Sequence, residues 1–473
     1  MKNALNITRE QNFPDWYQEV VDKADLAETS LSRGSMVVKP YGNAIWENIK
    51  NIFDKKIKEL GVQNALFPAL IPVELLEKEA EHVAGFAKEC VVITHHRLVQ
   101  DKGTLIPDPN SKLEKPYILR PTSETIIGES FSKWINSYRD LPLLINQWGN
   151  VFRWEMRTRL FLRSVEFFWQ EGHCVFKDND GAEENAKTFL NVYKDLAENY
   201  MAIYSYIGQK TDDEKFAGAD KTYSLEPMMQ DGKAVQFATS HNLGQHFTKS
   251  SDIKFTDENG KEQFAYSTSW GFSTRSIGAL IMSHSDDDGL VLPPKIAPYP
   301  IVIIPVIHNE DKKSTILEYC NKIKNAIKCD VYIDNGYDSP QNKKWNWVRK
   351  GAPLRLEIGE RDTENNSIFY VRRDKILEKN NVSFDDFVNK YQNELDELQN
   401  NLLQKSKENL YKNTKQVENI EEIKKIIKDK VFISIPASLW QNKELEKIME
   451  ENSVSYRNKP FELKDRIIIG KAY

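Results

Sequence analysis

Cysteine is scarce in this chain, with four residues among 473. Cys90, Cys174, Cys320 and Cys329 form no Cys-x-x-Cys pair and no dense framework. Disulfide-stapled domains and compact zinc ribbons need paired or closely spaced cysteines. We therefore expect buried free thiols in a reducing compartment, and no structural zinc.

Long apolar runs are also missing. The longest, at about residues 300–307, is far shorter than the ~20 residues that span a bilayer. The first ten residues, MKNALNITRE, lack the basic stretch and apolar stretch of a secretory signal. The sequence predicts a cytoplasmic protein without membrane contact.

Charge of neither sign dominates, since 65 Lys and Arg face 70 Asp and Glu, for a net charge of −5. This balance excludes a general nucleic-acid coat, but a local arginine groove can still bind phosphate on an acidic protein. The length predicts two or three domains, each with its own core.

Helical spacing is clearest after Tyr41. The residues expected on one buried face are Trp46, Ile49, Phe53, Ile57 and Leu60, and Gly61 is placed to end the helix. The strand expected next ends in FPAL, where Pro68 cannot donate a ladder hydrogen bond. The pattern therefore predicts a long helix followed by an edge strand.

The middle of the chain predicts a largely antiparallel sheet with helices on one side. Strands are expected at 143–154, 165–171, 234–239 and 264–272, and a long helix at 182–207. These elements and the preceding ones predict a first domain over residues 1–290.

A proline cluster at 291–300 (VLPPKIAPYP) marks a linker. Strands expected at 301–307, 330–333 and 354–358 alternate with helices at 312–326 and 341–350, which predicts a small α/β domain over residues 296–382. A charged helical stretch at 383–428 and a short mixed module complete the third expected unit, 383–473.

The segment 152–173, FRWEMRTRLFLRSVEFFWQEGH, places four arginines between two predicted strands. Arginines on adjacent antiparallel strands present planar forks that suit a triphosphate or a carboxylate. A later segment, WGFSTRSIGALIM at 270–282, puts Arg275 where a strand gives way to an apolar helix, whose N-terminal amides favour anions.

FRWE and the WGFSTR segment resemble motifs 2 and 3 of the class II aminoacyl-tRNA synthetases, and the helix before FPAL resembles motif 1, their dimerisation element. RPTSE at 120–124, WQEGH and TSHNLGQ occur in the order of the prolyl-tRNA synthetases. That resemblance covers nearly the whole chain. It implies an α+β catalytic domain with an antiparallel sheet and flanking helices, then an α/β anticodon-binding domain and a small C-terminal α/β module.

The resemblance implies ligation of L-proline to tRNA(Pro) in two steps, with ATP and Mg²⁺, by a homodimer formed through motif 1. Arg153 then contacts the α-phosphate and the amino-acid carboxylate, Glu155 orients the nucleotide or its metal, and Arg275 holds the γ-phosphate. These three are the expected catalytic residues. The further ATP-site residues that it implies are Arg163, Phe167, Gln236 and Thr239, and those at the tRNA acceptor end are Arg157 and Arg159.

The expected proline pocket contains no metal. Thr122 and Glu124 are the implied acceptors for the secondary ammonium of proline, and Trp169, His173 and His241 wall its ring. Arg153 and Ser273 complete the implied set. Cys174 beside His173 is not taken as a zinc ligand.

Residues 345–362, WNWVRKGAPLRLEIGERD, resemble the segment with which the family reads the anticodon. Arginine and lysine can contact guanine acceptors, and glutamate can accept from the guanine amino group. The candidates are Arg349, Lys350, Arg355, Glu357 and Arg361.

The resemblance points to the archaeal/eukaryotic-like subtype. Roughly 95 residues separate His173 from Ser269, fewer than the ~100–150 of a typical extra domain such as an editing insertion. The extension past Lys375 and the terminal Tyr473, which in relatives can reach the active site, also fit that subtype. Many relatives hold zinc in the C-terminal module, but no cysteine or histidine follows Cys329 here. The module must then be held by apolar residues, including Ile433, Ile435, Ile467, Ile468 and Ile469.

Other interpretations remain open. A threonyl or glycyl enzyme shares part of these motifs, although the Cys/His/His zinc set expected of the threonyl enzyme is not evident. A tRNA-binding paralogue without catalysis has no need of Arg153, Glu155 and Arg275 together. A bare biotin- or lipoate-ligase-like domain leaves the anticodon-like half unexplained.

Overall fold

The computed structural model describes residues 4–77 and 89–473. Its main feature is an 11-stranded sheet, antiparallel through its centre. The strands follow one another in this order: Thr414–Gln416, Phe432–Pro436, Arg466–Gly470, Ser455–Pro460, Tyr206–Gln209, Lys221–Glu226, Ala238–Gly244, Tyr266–Ser273, Glu166–Phe176, Leu143–Phe152 and Gln63–Asn64. The predicted α+β architecture, with helices flanking an antiparallel sheet, is confirmed.

Two long helices, Pro40–Glu59 and Asn179–Asp195, pack on one face of this sheet. The ring of Phe53 stacks on Tyr193 at 5.1 Å, and the ring of Phe189 stacks on Trp270 at 3.7 Å. A Cβ on Gly172 would collide with the Trp270 ring, so glycine lets that ring lie across the neighbouring strand. These aromatic side chains cover one face of the sheet, so a binding site can form on the opposite face.

The helix predicted after Tyr41 is confirmed as Pro40–Glu59, ended by Gly61 in the left-handed region at φ 84°. Leu60 was wrongly placed on the buried face, because it lies past the helix end and is 44% exposed. The strand predicted to end in FPAL was also wrong in extent. Pro68 lies between the short strands Gln63–Asn64 and Leu70–Pro72.

Two further boundaries were wrong. The helix predicted over 182–207 ends at Asp195 and is followed by a π-helical turn, Leu196–Tyr200, and by strand Tyr206–Gln209. The strand predicted over 234–239 is observed at Ala238–Gly244. Its first part is a loop because the backbone N–H of Ala234 donates to the carbonyl of Lys471 instead of a neighbouring strand.

The second sheet has five strands, ordered Val331–Ile333, Ile301–Pro305, Leu354–Ile358, Ser367–Arg372 and Asn380–Ser383. Its first three strands are parallel to one another. The fourth strand pairs antiparallel with the third, and the fifth pairs antiparallel with the fourth. Helices Lys313–Ala326 and Pro340–Arg349 connect the parallel strands, as the alternating pattern predicted.

The C-terminal module extends the main sheet. Its strand Ser455–Pro460 pairs with Tyr206–Gln209 through Pro460 and Lys459. The charged helical stretch is observed as helix Phe384–Lys412, so the prediction of helix to 428 was wrong where strand Thr414–Gln416 intervenes. The predicted boundaries 1–290, 296–382 and 383–473 stay a prediction.

The apolar residues predicted to hold the module divide between its two faces. Ile433, Ile435, Ile467 and Ile469 lie in the module's own core. Ile468 points the other way and packs with Tyr206, Met228 and Ala234. Strand Arg466–Gly470 therefore contributes one face to the module's core and the other to contacts outside it.

Smaller elements complete the fold. The remaining helices are Phe13–Lys23, Val73–Glu77, Glu124–Trp134, His246–Ser250, Arg275–His284, Glu360–Glu364, Ile420–Ile426 and Lys443–Glu451. The remaining strands are Ala27–Thr29, Met36–Val38, Val92–His95, Leu98–Asp101, Thr104–Pro107, Lys112–Leu119, Lys254–Thr256 and Glu262–Phe264. Within residues 4–77 and 89–473, no helix is long and apolar enough to cross a membrane.

Cys174 and Cys320 are buried, as expected, whereas Cys90 and Cys329 are half-buried. Burial raises the pKa of the Cys174 thiol to about 11 and that of Cys320 to about 12. Both thiols stay protonated near neutral pH and act as apolar core residues.

Candidate active site

A cavity of about 280 Å³ lies on the face of the main sheet opposite the aromatic layer. Because side chains alternate along a strand, Phe167, Trp169 and Glu171 of strand Glu166–Phe176 all point into it. Ser269, Gly271 and Ser273 enter it from the neighbouring strand Tyr266–Ser273 in the same way.

Arg153 follows strand Leu143–Phe152 and is held at the cavity edge by its Nε, which donates to the Pro121 carbonyl at 3.0 Å. Its guanidinium lies 5.5 Å from the Phe167 ring and 5.7 Å from the Trp169 ring. Burial lowers the pKa of Arg153, and the charges of nearby glutamates oppose that change. A guanidinium remains charged in such surroundings, so it presents a planar cationic fork to the cavity.

Arg275 is the first residue of helix Arg275–His284 and supplies a second guanidinium. Its Nε donates to the carbonyl of Leu162 at 3.2 Å. Burial, followed by the positive charges of Arg153 and Arg163, lowers the pKa of Arg275 to about 10. The two positive charges repel each other within one cavity. Binding of a multiply charged anion would relieve that repulsion.

Glu171 forms a buried hydrogen-bonded network at the floor of the cavity. Its Oε1 accepts from Gln147 Nε2 at 2.8 Å and from the Ser123 hydroxyl, and its Oε2 lies 3.0 Å from His173 Nε2. Burial alone would raise the pKa of Glu171, but hydrogen bonding and the charge of His173 lower it. Burial lowers the pKa of His173, but the hydrogen bond and the negative charge of Glu171 outweigh burial and raise it. The two side chains form an ion pair when His173 is protonated.

Thr122 lines the cavity beside this network, and its hydroxyl donates to Glu124, the first residue of helix Glu124–Trp134. The charge of Glu124 acts on both Arg153 and His173, which places its carboxylate near both side chains. A carboxylate and a hydroxyl oxygen thus lie where they can accept from a small cation.

His241 forms part of the opposite wall. Burial, followed by the positive charges of His173 and Lys210, lowers the pKa of His241 to about 3, so its ring is neutral near pH 7. Its Nδ1 lies 2.9 Å from the Thr222 hydroxyl, and the Phe216 ring lies 4.8 Å from its own ring. With Trp169, these side chains make an apolar, uncharged wall.

The cavity brings together most of the expected site residues. Those that line it are Thr122, Arg153, Phe167, Trp169, Gln236, Thr239, His241, Ser273 and Arg275. His173 and Glu124 lie just behind it and line a smaller neighbouring cavity.

Four expected residues lie outside the cavity, on the segment between the two strands. The Glu155 carboxylate accepts from the backbone of Arg157 at 3.1 Å and lies 3.9 Å from Arg163. Arg163 and Arg159 line a separate cavity of about 260 Å³, and Arg157 is exposed. Glu155 and Arg163 therefore do not line the main cavity, although the charges of both act on Arg275.

Sequence reasoning missed several residues that line the cavity. Glu171 lies within WQEGH, and the period of two from Phe167 and Trp169 would have identified it. Glu214 and Phe216 come from an irregular loop, which carries no periodic signal.

Tyr473 does not line the cavity. Its hydroxyl donates to Asp231 at 2.6 Å, and its ring lies 5.7 Å from the Arg159 guanidinium and 4.5 Å from Lys233 Nζ. The chain end thus contacts the arginine segment and not the cavity itself.

The five anticodon candidates lie in different surroundings. Arg355 is buried and its Nε donates to Glu357 at 3.1 Å. Lys350 Nζ lies 3.8 Å from Asp25 in the N-terminal region. The backbone carbonyl of the adjacent Arg349 accepts from the backbone N–H of Leu290. Arg361 is exposed on helix Glu360–Glu364. Lys350 and Arg355 thus already pair with carboxylates of this chain, whereas Arg361 is open to solvent.

Comparison with known families identifies both main regions. Residues 107–284 match the profile of the tRNA synthetase class II core domain (G, H, P, S and T). Residues 300–394 match the profile of an anticodon binding domain.

Curated relatives match over most of their length. A proline--tRNA ligase of Parabacteroides distasonis is 52% identical over 90% of this chain and 87% of the relative. Another, from Paramagnetospirillum magneticum, is 44% identical over 98% of this chain and 94% of the relative.

A solved structure is similar throughout. The crystal structure of prolyl-tRNA synthetase from Cryptosporidium parvum, complexed with L-proline and AMP, covers 99% of this chain and 97% of its own, with a TM-score of 0.90 and 34% identity.

Proposed function

The chain belongs to the prolyl-tRNA synthetase family of class II enzymes, and we propose from this membership that it ligates L-proline to tRNA(Pro) with ATP. The observation that carries the proposal is a single cavity lined by the guanidinium groups of Arg153 and Arg275, the Thr122 hydroxyl and a wall that includes Trp169 and His241. The Glu124 carboxylate lies just behind it. These groups suit a nucleotide phosphate and a compact ammonium with an apolar ring.

In the first step, a proline carboxylate oxygen bonds to the α-phosphorus while the bond to the bridging oxygen breaks and pyrophosphate leaves. We assign Arg153 to neutralising the carboxylate and the charge that develops at phosphorus. We assign Arg275 to the terminal phosphate; Arg153 and Arg163 repel its positive charge, and a bound anion relieves that repulsion. We assign the Phe167 ring to stacking on the adenine base of ATP, and Gln236 and Thr239 line the same cavity. Positioning and charge neutralisation supply the acceleration.

The proline subsite combines polar and apolar recognition. Thr122 and Glu124 supply acceptors for the secondary ammonium, and Trp169 and the neutral His241 enclose the ring. His173 supports this subsite through Glu171, while Ser273 lines its edge.

In the second step, a hydroxyl of the terminal tRNA ribose attacks the prolyl carbonyl carbon and AMP leaves. We assign Arg157 and Arg159 to the acceptor end because they lie on the segment beside the cavity. Arg361 is exposed where an anticodon can reach it. Lys350 is paired with Asp25, and Arg355 with Glu357. We keep these residues and Arg349 as candidates for the anticodon contact.

We propose that Mg²⁺ arrives with ATP. Mg²⁺ usually binds through substrate phosphates, waters and one or two carboxylates. Among residues 4–77 and 89–473, no group of three or more His, Cys, Asp and Glu side chains is placed to hold a metal ion. Glu155, half-buried beside Arg163, is the single carboxylate we assign to the nucleotide and its metal.

We propose the archaeal/eukaryotic-like subtype, without an editing domain. Helix Asn179–Asp195 and strands Tyr206–Gln209, Lys221–Glu226 and Ala238–Gly244 occupy the chain between His173 and Ser269, and all of them belong to the catalytic fold. A cytoplasmic location is proposed with it, since unoxidised thiols suit a reducing compartment.

A prediction follows from the absence of an editing domain in this proposal. Alanine and cysteine are smaller than proline, and a missing methylene discriminates by only about 1–3 kcal/mol. We expect the purified enzyme to charge tRNA(Pro) with alanine or cysteine at saturating amino acid. The measurement is accumulation of acid-precipitable charged tRNA, and complete lack of both products at saturation would contradict the prediction.

We propose a homodimer through the surface around residues 66–77 and 89–107. Large apolar side chains are exposed there: Leu66 by 86%, Leu105 by 67%, Leu98 by 61% and Val92 by 50%. An apolar patch of this kind is typical of a protein interface. It follows helix Pro40–Glu59, the segment that resembles motif 1.

Substitution Leu66→Lys is expected to weaken the dimer about 10- to 100-fold, because it removes an apolar contact and buries a charge. Sedimentation velocity over a concentration series measures the dissociation constant. Leu377→Lys is the matched control, since Leu377 is 69% exposed in the α/β domain. An unchanged dissociation constant for Leu66→Lys would reject this interface.

A further inference from the structure

An irregular loop, residues 211–220, lies over the edge of the active-site cavity. It connects strands Tyr206–Gln209 and Lys221–Glu226 and contributes Glu214 and Phe216 to the cavity wall. The Phe216 backbone N–H donates to the Thr222 hydroxyl at 2.9 Å, and the same hydroxyl lies 2.9 Å from His241 Nδ1. The position of the loop therefore affects the apolar wall of the amino-acid subsite.

The C-terminal module contacts this loop with two side chains. Trp440 Nε1 donates to Asp213 Oδ2 at 3.0 Å, and the Lys459 ammonium lies 4.4 Å from the Trp440 ring. Arg457, on strand Ser455–Pro460, lies 3.9 Å from Glu214 Oε2. Asp213 and Glu214 are consecutive, so both contacts act on one turn of the loop.

Arg457 belongs to a buried charge cluster at the base of the loop. Its side chain is 8% exposed and lies 4.0 Å from Glu226 Oε2, while Lys210 Nζ lies 2.6 Å from Glu226 Oε1. Lys210 precedes the first residue of the loop. Buried, mutually attracted charges hold a fixed geometry. The cluster therefore fixes the loop base and Arg457 together.

Arg457 is not fully satisfied by this cluster. Its Nε is buried and finds no hydrogen-bond partner within the part of the chain that the structure describes. Replacing buried charges with apolar residues is often neutral or stabilising. Stability alone therefore gives no reason for an arginine here, whereas a contact with Glu214 does.

We propose that the C-terminal module positions the 211–220 loop over the amino-acid subsite, with Trp440 and Arg457 as positioning residues for proline binding. The inference rests on the proposed function. Glu214 and Phe216 meet the cavity beside His241 and Thr222, away from the phosphate end at Arg275. Loosening the loop therefore weakens the binding of proline more than the binding of ATP.

Substitution Trp440→Phe keeps an aromatic ring and removes the indole N–H that donates to Asp213. We expect it to raise KM for proline about 5- to 10-fold in ATP–pyrophosphate exchange, as the loss of a hydrogen bond to a charged group predicts. KM for ATP should change less than about 2-fold. Asp213→Ala should have the same effect, and the double variant should be no worse than either single one. Arg457→Gln should raise the same KM, and Arg457→Lys should restore part of it.

The control is Tyr411→Phe, which removes one hydroxyl at the same junction, where it contacts Tyr204 and Glu462 but not the loop. Amide hydrogen exchange provides a measurement that does not depend on activity. In the Trp440→Phe variant, the amides of residues 211–220 should exchange faster, and those of strand Phe432–Pro436 should exchange at an unchanged rate. Unchanged KM for proline with unchanged exchange over the loop overturns the inference, as do equal rises for proline and ATP. If the unsubstituted enzyme shows no proline-dependent activity, the proposed function fails, and the loop exchange alone then decides this inference.

Discussion

Substitution Arg153→Ala is expected to lower kcat for proline-dependent ATP–pyrophosphate exchange by about 10²- to 10³-fold, the usual effect of removing one preorganised donor from a charge-stabilising site. The guanidinium is anchored on the Pro121 carbonyl and lies close to both the Phe167 and Trp169 rings, which fixes its direction in the cavity. The measurement is steady-state exchange at saturating proline and ATP.

Two variants accompany it. Arg153→Lys keeps a charge but loses the planar fork, so it should recover only part of the activity. Arg139→Ala removes an exposed arginine that stacks on Tyr138 and does not line the cavity, and it should leave kcat within about 2-fold. If Arg153→Ala retained more than a tenth of the activity, its assigned catalytic role would be wrong.

Substitution Glu171→Gln is expected to lower the free energy of unfolding by about 1–3 kcal/mol near pH 6, because His173 loses its buried charged acceptor. The variant also loses the charged acceptor for Gln147 and Ser123. Urea unfolding followed by tryptophan fluorescence measures the change. Glu184→Gln, at an exposed helix position, makes the same change of charge and should have almost no effect.

The pH dependence has a definite sign. The folded-state pKa of His173 is raised above 6.5, so its contribution to stability is present below pH 6.5 and is lost as pH rises through the raised value. The folded-state pKa of Glu171 is lowered below 4.5, so its contribution is present above pH 4.5 and is lost as pH falls through the lowered value. Both contributions are full between pH 4.5 and 6.5. The difference between unsubstituted and Glu171→Gln protein should be largest there and shrink toward pH 9; a difference that grows toward pH 9 would contradict the ion pair.

Local patterns predicted the fold where one face of an element is buried. Helix Pro40–Glu59 repeats its apolar residues at helical spacing and was found to within a residue or two. The pairing of the C-terminal module with the catalytic sheet leaves no such pattern. It depends on partners more than 200 residues apart, such as Asn458, which donates to the carbonyl of Tyr206.

The site divides in the same way. Residues on strands, such as Trp169 and His241, share a face because of the period of two, and the motifs that carry them pointed to one cavity. Glu155 and Arg163 lie on the irregular segment between strands, where sequence order does not determine direction. Phe216 enters the cavity from a loop whose path is determined by contacts with a distant module.

The most direct test of the account is amino-acid-dependent ATP–pyrophosphate exchange without tRNA, comparing proline, threonine, glycine, alanine and cysteine. We expect strong exchange with proline, weak exchange with alanine or cysteine, and none above background with threonine or glycine. Preference for threonine or glycine would contradict the assigned subsite, and no exchange with any amino acid from folded protein would contradict the enzyme itself.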